Sequence, residues 1–206
     1  MSGAFPISTA NFQSMGIKSI QTTIISKSDS GKKFARQIDG QRFGFTASII
    51  TGKRSDIYGE LMAFIIKQRS SKENFTIIPP ELEDARGNET GTLAVNGSHT
   101  AGDTTIAIDG FASDGSGRLK AGDFIKFNGH TKIYMVVSDV TSSSNSATVT
   151  IEPPLVSALA DDETVSYDNI PFTVHLTNDI QEFGVVGADK DGNLLYKFEL
   201  DVEEAL

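Results

Sequence analysis

The chain has 206 residues, no cysteine, no tryptophan and a formal net charge of −9 at neutral pH. Without cysteine, disulfides and thiolate metal sites are excluded; an acidic chain with no basic stripe among aromatics argues against sequence-specific nucleic-acid binding. The apolar runs are too short for membrane insertion, and the opening MSGAFPISTANF lacks a signal peptide's basic-then-apolar pattern, so a soluble protein made in a cytoplasm is expected.

Residues 1–15 are small and polar around Phe5, Phe12 and Met15, the composition of an arm. Residues 17–26 are rich in β-branched side chains and predict a strand. A turn at Ser28-Asp29-Ser30-Gly31 returns the chain through a second strand over 32–39. Residues 42–50 form a third, with Phe43, Phe45, Ala47 and Ile49 on one face, and the three strands are expected to make a meander. Ser55 is a candidate N-cap for the one clear helix. Its stripe is Ile57, Leu61, Phe64, Ile65 and Gln68. Gly59 costs that helix about 1 kcal/mol relative to alanine unless close packing compensates. Residues 74–78 predict a short strand stopped by Pro79-Pro80, and 81–92 a polar linker.

From Leu93 the composition turns to Thr, Ser, Gly and Asp among β-branched residues. Short strands are expected at 104–108, 123–127, 133–137 and 147–151, spaced as in a small barrel or sandwich. The centre of this block is the hairpin over 118–137, which opens on a turn at Leu119-Lys120-Ala121-Gly122-Asp123 and turns again at Asn128-Gly129, a type I′ signal. Residues 171–176 resume strand pattern with Phe172, Val174 and Leu176 inward. After a turn at Gly192-Asn193, Leu194, Tyr196, Phe198, Leu200 and Val202 share one face of a last strand.

The fold class is therefore mainly β (α+β). A discontinuous β-sandwich-like domain with one helix, residues 1–89 and 168–206, carries an inserted small β-barrel over 90–167. Charge is blocky as well: residues 1–80 hold 11 basic and 5 acidic side chains, residues 81–206 hold 7 and 22. That split points to electrostatic docking between copies or neighbours, with differently solvated surfaces on two modules as the plainer reading. Lys32, Lys33, Arg36 and Arg42 would form the basic side of such an interface, with Glu199, Asp201, Glu203 and Glu204 as the acidic side.

No catalytic, cofactor-binding or metal-binding residue is assigned. The three histidines, His99, His130 and His175, show no metal-ligand spacing. The loop beginning Asp189-Lys190-Asp191-Gly192-Asn193 starts like a calcium loop, but its twelfth position is Leu200 instead of a bidentate Glu, so a hairpin turn is expected. The glycine-rich and serine-rich loops at 115–117 and 142–146 lack the Lys-Ser/Thr of a phosphate cradle. Nothing here favours an enzyme.

The order of parts resembles the distal tail proteins of long-tailed bacteriophages, in the small form with an inserted OB-like domain found in T5-like phages. The resemblance is carried by Tyr58, Glu60, Ala63 and Phe64, by Ile77, Ile78 and Pro79, and above all by Lys120-Ala121-Gly122-Asp123 with Lys132-Ile133-Tyr134. The serine-rich turn, the strand at 147–151 and Pro154 follow in order, so the likeness spans about residues 55–175. It implies a non-enzymatic virion protein of the tail tip: a hexameric ring joining the tail tube protein to the hub and other baseplate proteins, with a lumen for tape measure and DNA. The inserted domain would project outward; OB-like domains often bind saccharides or oligonucleotides, which leaves a host-surface glycan as a possible partner, but without Trp the usual aromatic platform is missing and Phe111 and Tyr134 are the obvious candidates. The alternatives are another tail ring protein, tube or terminator, and a carbohydrate-binding β-module.

Overall fold

The structure, a computed structural model, describes residues 3–38 and 40–206. In chain order it contains β1 (Phe12–Ile20), β2 (Thr23–Lys27), β3 (Lys33–Gln37), β4 (Arg42–Lys53), helix α1 (Gly59–Lys67) and β5 (Phe75–Ile77). There follow β6 (Leu93–Val95), β7 (Thr105–Asp109), β8 (Gly115–Ser116), β9 (Phe124–Phe127), β10 (Ile133–Val136), β11 (Thr141–Ser142), β12 (Ser146–Glu152) and β13 (Thr164–Ser166). The last three are β14 (Phe172–Leu176), β15 (Phe183–Ala188) and β16 (Leu194–Glu204). The chain divides into a first unit, residues up to Pro80 with Thr173–Ala205, and a second unit, Glu81–Phe172. It is mainly β with one α-helix, and the second unit contains a closed barrel, as the sequence predicts.

In the first unit β4 and β16 are the spine, paired antiparallel from Leu195 opposite Lys53 to Glu203 opposite Gly44. Period-2 alternation decides which side is core. Phe43, Phe45, Ala47 and Ile49 from β4, with Phe198, Leu200 and Val202 from β16, are all buried. The strand order is β1-β4-β16-β14-β5, and β15 pairs with the N-terminal half of β16.

The predicted meander is not there, and edge counting explains why. A strand has two hydrogen-bonding edges, and those of β4 are taken by β1 and β16. None is left for β3. The stretch 17–26 accordingly breaks at Gln21-Thr22: its first half belongs to β1, which starts at Phe12 within the expected arm, and its second half is β2. The strands β2 and β3 pair only with each other, in a separate two-stranded sheet. The second predicted strand ends at Gln37; Asp39 lies outside the described residues. Part of the arm is also fixed, because Phe5 N–H donates to the Thr76 carbonyl at 2.7 Å and Thr76 N–H to that of Gly3 at 3.0 Å.

The helix turns its predicted stripe inward, and the difference lies at its start. A π-helical turn over Arg54–Tyr58 precedes α1, and Ser55 is not its cap: the Ser55 hydroxyl donates to Asp56 Oδ1 at 3.1 Å. Leu61, Ile65 and Gln68 are buried as expected and Phe64 is half-buried, but in the π turn it is Tyr58 that is buried and Ile57 only half-buried. Gly59 N–H donates to the Arg54 carbonyl, and a Cβ at Gly59 would lie 2.7 Å from that oxygen. This is the close packing that makes the glycine necessary. Phe64 joins an aromatic cluster, edge-on to Phe5 and Phe75 with ring centroids 5.8 and 5.4 Å apart.

The second unit closes as the barrel β10-β12-β7-β6-β13-β9. Leu93, Ile106, Ile125, Tyr134, Val149 and Val165 are among its core residues. The central hairpin is present, with Tyr134 opposite Ile125, but its loop is longer than a two-residue turn. Only Gly129 takes positive φ, at 84°, and His130 N–H donates back to the Phe127 carbonyl, the pattern of a type II turn. The opening turn is held by the carboxylate of Asp123, which accepts the Lys120 N–H at 2.8 Å. The same carboxylate accepts the N–H groups of Arg86 and Gly87, so residues 86–87 are fastened to the barrel.

Candidate functional site

The β2–β3 hairpin lacks a core of its own. Every residue of both strands is exposed, including Ile24, Ile25 and Phe34, and Ile38 beyond β3 is exposed too. The cross-strand register puts Ile24 beside Arg36 and Ser26 beside Phe34 on one face, Ile25 beside Ala35 and Lys27 beside Lys33 on the other. Lys32 Nζ sits 5.4 Å from the centre of the Phe34 ring. The predicted basic residues Lys32, Lys33 and Arg36 are thus placed on an exposed hairpin interleaved with large apolar side chains.

The other predicted interface residues lie on the sheet, where the chain already uses most of them. Arg42 Nε is 3.1 Å from Glu203 Oε1. Asp201 accepts from Lys18 Nζ at 2.8 Å and from Thr46 Oγ1 at 3.2 Å. Burial pushes the Asp201 carboxyl up, but its hydrogen bonds, that of Lys18 foremost, outweigh this and hold it below the ordinary value. Glu204 is buried, and its Oε2 accepts the Phe43 N–H at 3.1 Å. Its parity with Phe198, Leu200 and Val202 is the signal that would have placed it inward. Glu199 is largely exposed, 3.9 Å from Lys197.

Sequence reasoning missed the surface between these groups. The outer face of the sheet holds a cleft with a free volume of about 410 Å³. Lys18, Thr46, Lys197, Glu199 and Asp201 line it from the strands, and Ile180, Gln181 and Glu182 from the segment before β15. Ile180 is 86% exposed. Beside it, β15 is an edge strand with exposed Val185 and Val186.

In the barrel unit, Arg86, Asn88, Ser116, Lys120, Asp139 and Thr141 line a polar cleft of about 400 Å³. Phe111 and Tyr134, the candidate aromatics for a glycan contact, are not in it; both are buried in the barrel core. Among the described residues no group of three or more His, Asp or Glu could hold a metal ion. His99, which forms a β-bridge with Leu159 instead of sitting in the expected turn, and His130, at the end of a turn, lie beside carboxylates, His99 Nδ1 3.7 Å from Asp103 and His130 Nε2 3.6 Å from Glu163. The Asp189 carboxylate folds its own turn, accepting from the N–H groups of Asp191 and Asn193. Among the described residues no helix is long and apolar enough to cross a membrane.

Comparison with known families matches residues 83–170 to the model of the B domain of distal tail protein pb9. The chain carries a distal tail protein B domain. The matched stretch is the barrel with the segment that leads into β6, so the resemblance to phage distal tail proteins rests on the barrel unit. The protein is a structural component of a phage tail. No curated protein matches the chain.

Proposed function

We propose that this distal tail protein forms a hexameric ring at the tail tip, joining the tail tube protein to the hub and other baseplate proteins. In this reading it does no chemistry, is made in the host cytoplasm and becomes part of the virion. The unit built on β4 and β16 forms the ring around a lumen for tape measure and DNA, and the B domain stands outside. The observation that carries the reading is the β2–β3 hairpin. A two-stranded hairpin is at best marginally stable alone in water, and this one exposes Ile24, Ile25, Phe34 and Ile38. Such a surface calls for a partner. A neighbouring copy supplies it in a closed ring, and cyclic symmetry leaves no copy uncovered.

Native mass spectrometry tests this, with the protein alone and on isolated tail tubes. The full chain is expected as hexamers on the tubes, and a chain with residues 23–37 replaced by a short turn as folded monomers. Hexamers that survive the hairpin's removal would sink the role given to it. Monomers of the full chain on the tubes would sink the ring. A glycan contact by the B domain would fall on the polar cleft, and Lys120→Ala would then weaken host-surface binding without unfolding the barrel.

A further inference from the structure

The exposed hairpin has two unlike faces. Ile24, Phe34 and Arg36 point to one side, and Ile38, whose N–H donates to the Thr22 carbonyl at 3.0 Å, prolongs that side toward the sheet. This face combines three large apolar groups with the guanidinium of Arg36 and the Lys32 ammonium over the Phe34 ring. A surface that receives it must offer apolar contact, room for an aromatic ring and carboxylates placed for two cations. Burying either cation without such partners would cost more than the apolar contact returns.

The cleft on the outer face of the sheet offers all three. Ile180 stands out of the segment before β15 with most of its side chain in solvent. The free volume of about 410 Å³ admits large side chains. Three carboxylates, Glu182, Glu199 and Asp201, line it with two lysines, Lys18 and Lys197; Lys197 is held only by a 3.9 Å contact with Glu199, both ends of which are exposed. Asp201, by contrast, is already taken by Lys18.

We infer that the hairpin of one copy seats in this cleft of the next copy, with Phe34 against Ile180 and with Arg36 and Lys32 toward Glu182 and Glu199. This rests on the ring reading and names the surface that receives the arm. The two surfaces differ, so the contact is heterologous: each copy gives its hairpin one way and accepts one from the other side, as a closed ring requires.

The chain has no cysteine, so engineered thiols report the contact without interference. Phe34→Cys and Ile180→Cys proteins are mixed in equal amounts on tail tubes and oxidised. A disulfide-linked dimer several-fold above that of either variant alone is the expected result. Glu199→Lys on the cleft partner should lower that yield several-fold, and Arg36→Glu on the hairpin partner should restore part of it. Phe34→Cys paired with Val156→Cys, an exposed site in the barrel unit, is the background control. If Phe34→Cys alone cross-links as well as the mixture, hairpins pair with each other and the cleft is the wrong acceptor. Hexamers without the mixed product overturn the cleft and leave the ring standing. The absence of both hexamers and product overturns the two readings together.

Discussion

The Asp123 carboxylate accepts the backbone N–H of Arg86 at 2.9 Å across 37 positions of sequence. Its second oxygen takes the N–H groups of Lys120 and Gly87, so one buried side chain satisfies three main-chain donors. Replacing it by alanine leaves three part-buried donors without their acceptor, and a donor left unsatisfied away from water costs about 1–3 kcal/mol. We expect Asp123→Ala to destabilise the barrel by at least about 2 kcal/mol, the lower part of the range for such a loss. Hydrogen exchange should accelerate at Arg86, Gly87 and Lys120 first. Unchanged exchange at those three amides would show that the carboxylate does not hold the turn.

Gly59 reverses the ordinary helix rule. Helix propensity alone says that Gly→Ala should gain about 1 kcal/mol. The clash with the Arg54 carbonyl says the opposite, and overpacking of this kind costs about 1–3 kcal/mol. Denaturant unfolding of Gly59→Ala should therefore show a loss. Gly187→Ala, where no atom lies within 4 Å of the added carbon, should be close to neutral. A gain at Gly59 would remove the argument for the π-helical turn.

Excision of the barrel tests the architecture. The segment leaves the first unit after β5 and returns at β14, and these strands are neighbours in one sheet. Joining residue 80 to residue 171 through a short Gly-Ser linker should leave a domain that unfolds cooperatively. A molten product would mean that the sheet cannot form without the insertion.

Acid sensitivity should divide between the units. In the barrel, backbone N–H groups of Asn145 and then Ser144 hold the Asp114 carboxyl below its ordinary value. In the first unit, hydrogen bonds from Lys53 and then Asn193 hold Asp189 well below the carboxylate range. A depressed folded pKa gives stability that is present above the unfolded value, near about 4, and lost as pH falls through the folded one. Asp114→Asn should flatten the acid limb of the barrel, and Asp189→Asn that of the first unit, read by amide exchange in each. Lys53 has the opposite sign: the same hydrogen bond raises it, so its contribution holds below about 10.4 and fades as pH rises through the folded value.

What could be read from the chain followed from how strictly local pattern mirrors burial. The strands β4 and β16 were legible because apolar side chains alternate over 43–49 and 198–202, which permits one register there; Leu194, read on the same face, lies beyond a register shift at 196–198 and is exposed. The same rule, extended by two positions, would have moved Glu204 from the surface to the core. The strand β15 was not legible, since its FGVVGA run has two glycines and no alternation. The π-helical turn was hidden because Ile57 and Tyr58 are both apolar enough to face inward, and only packing against the sheet chooses Tyr58. Of the two surfaces proposed to meet, charge counting pointed to the basic hairpin but not to the cleft, whose walls come from β1, β4, β16 and a loop far apart in sequence.

The most direct measurement is an electron-microscopy reconstruction of the assembled tail tip. The expected result is a sixfold ring built from the β4–β16 units, each β2–β3 hairpin covered by a neighbouring copy and the B domains on the outside. A ring whose lumen is lined by B domains, or hairpins left bare to solvent with no neighbour against Phe34, would contradict it.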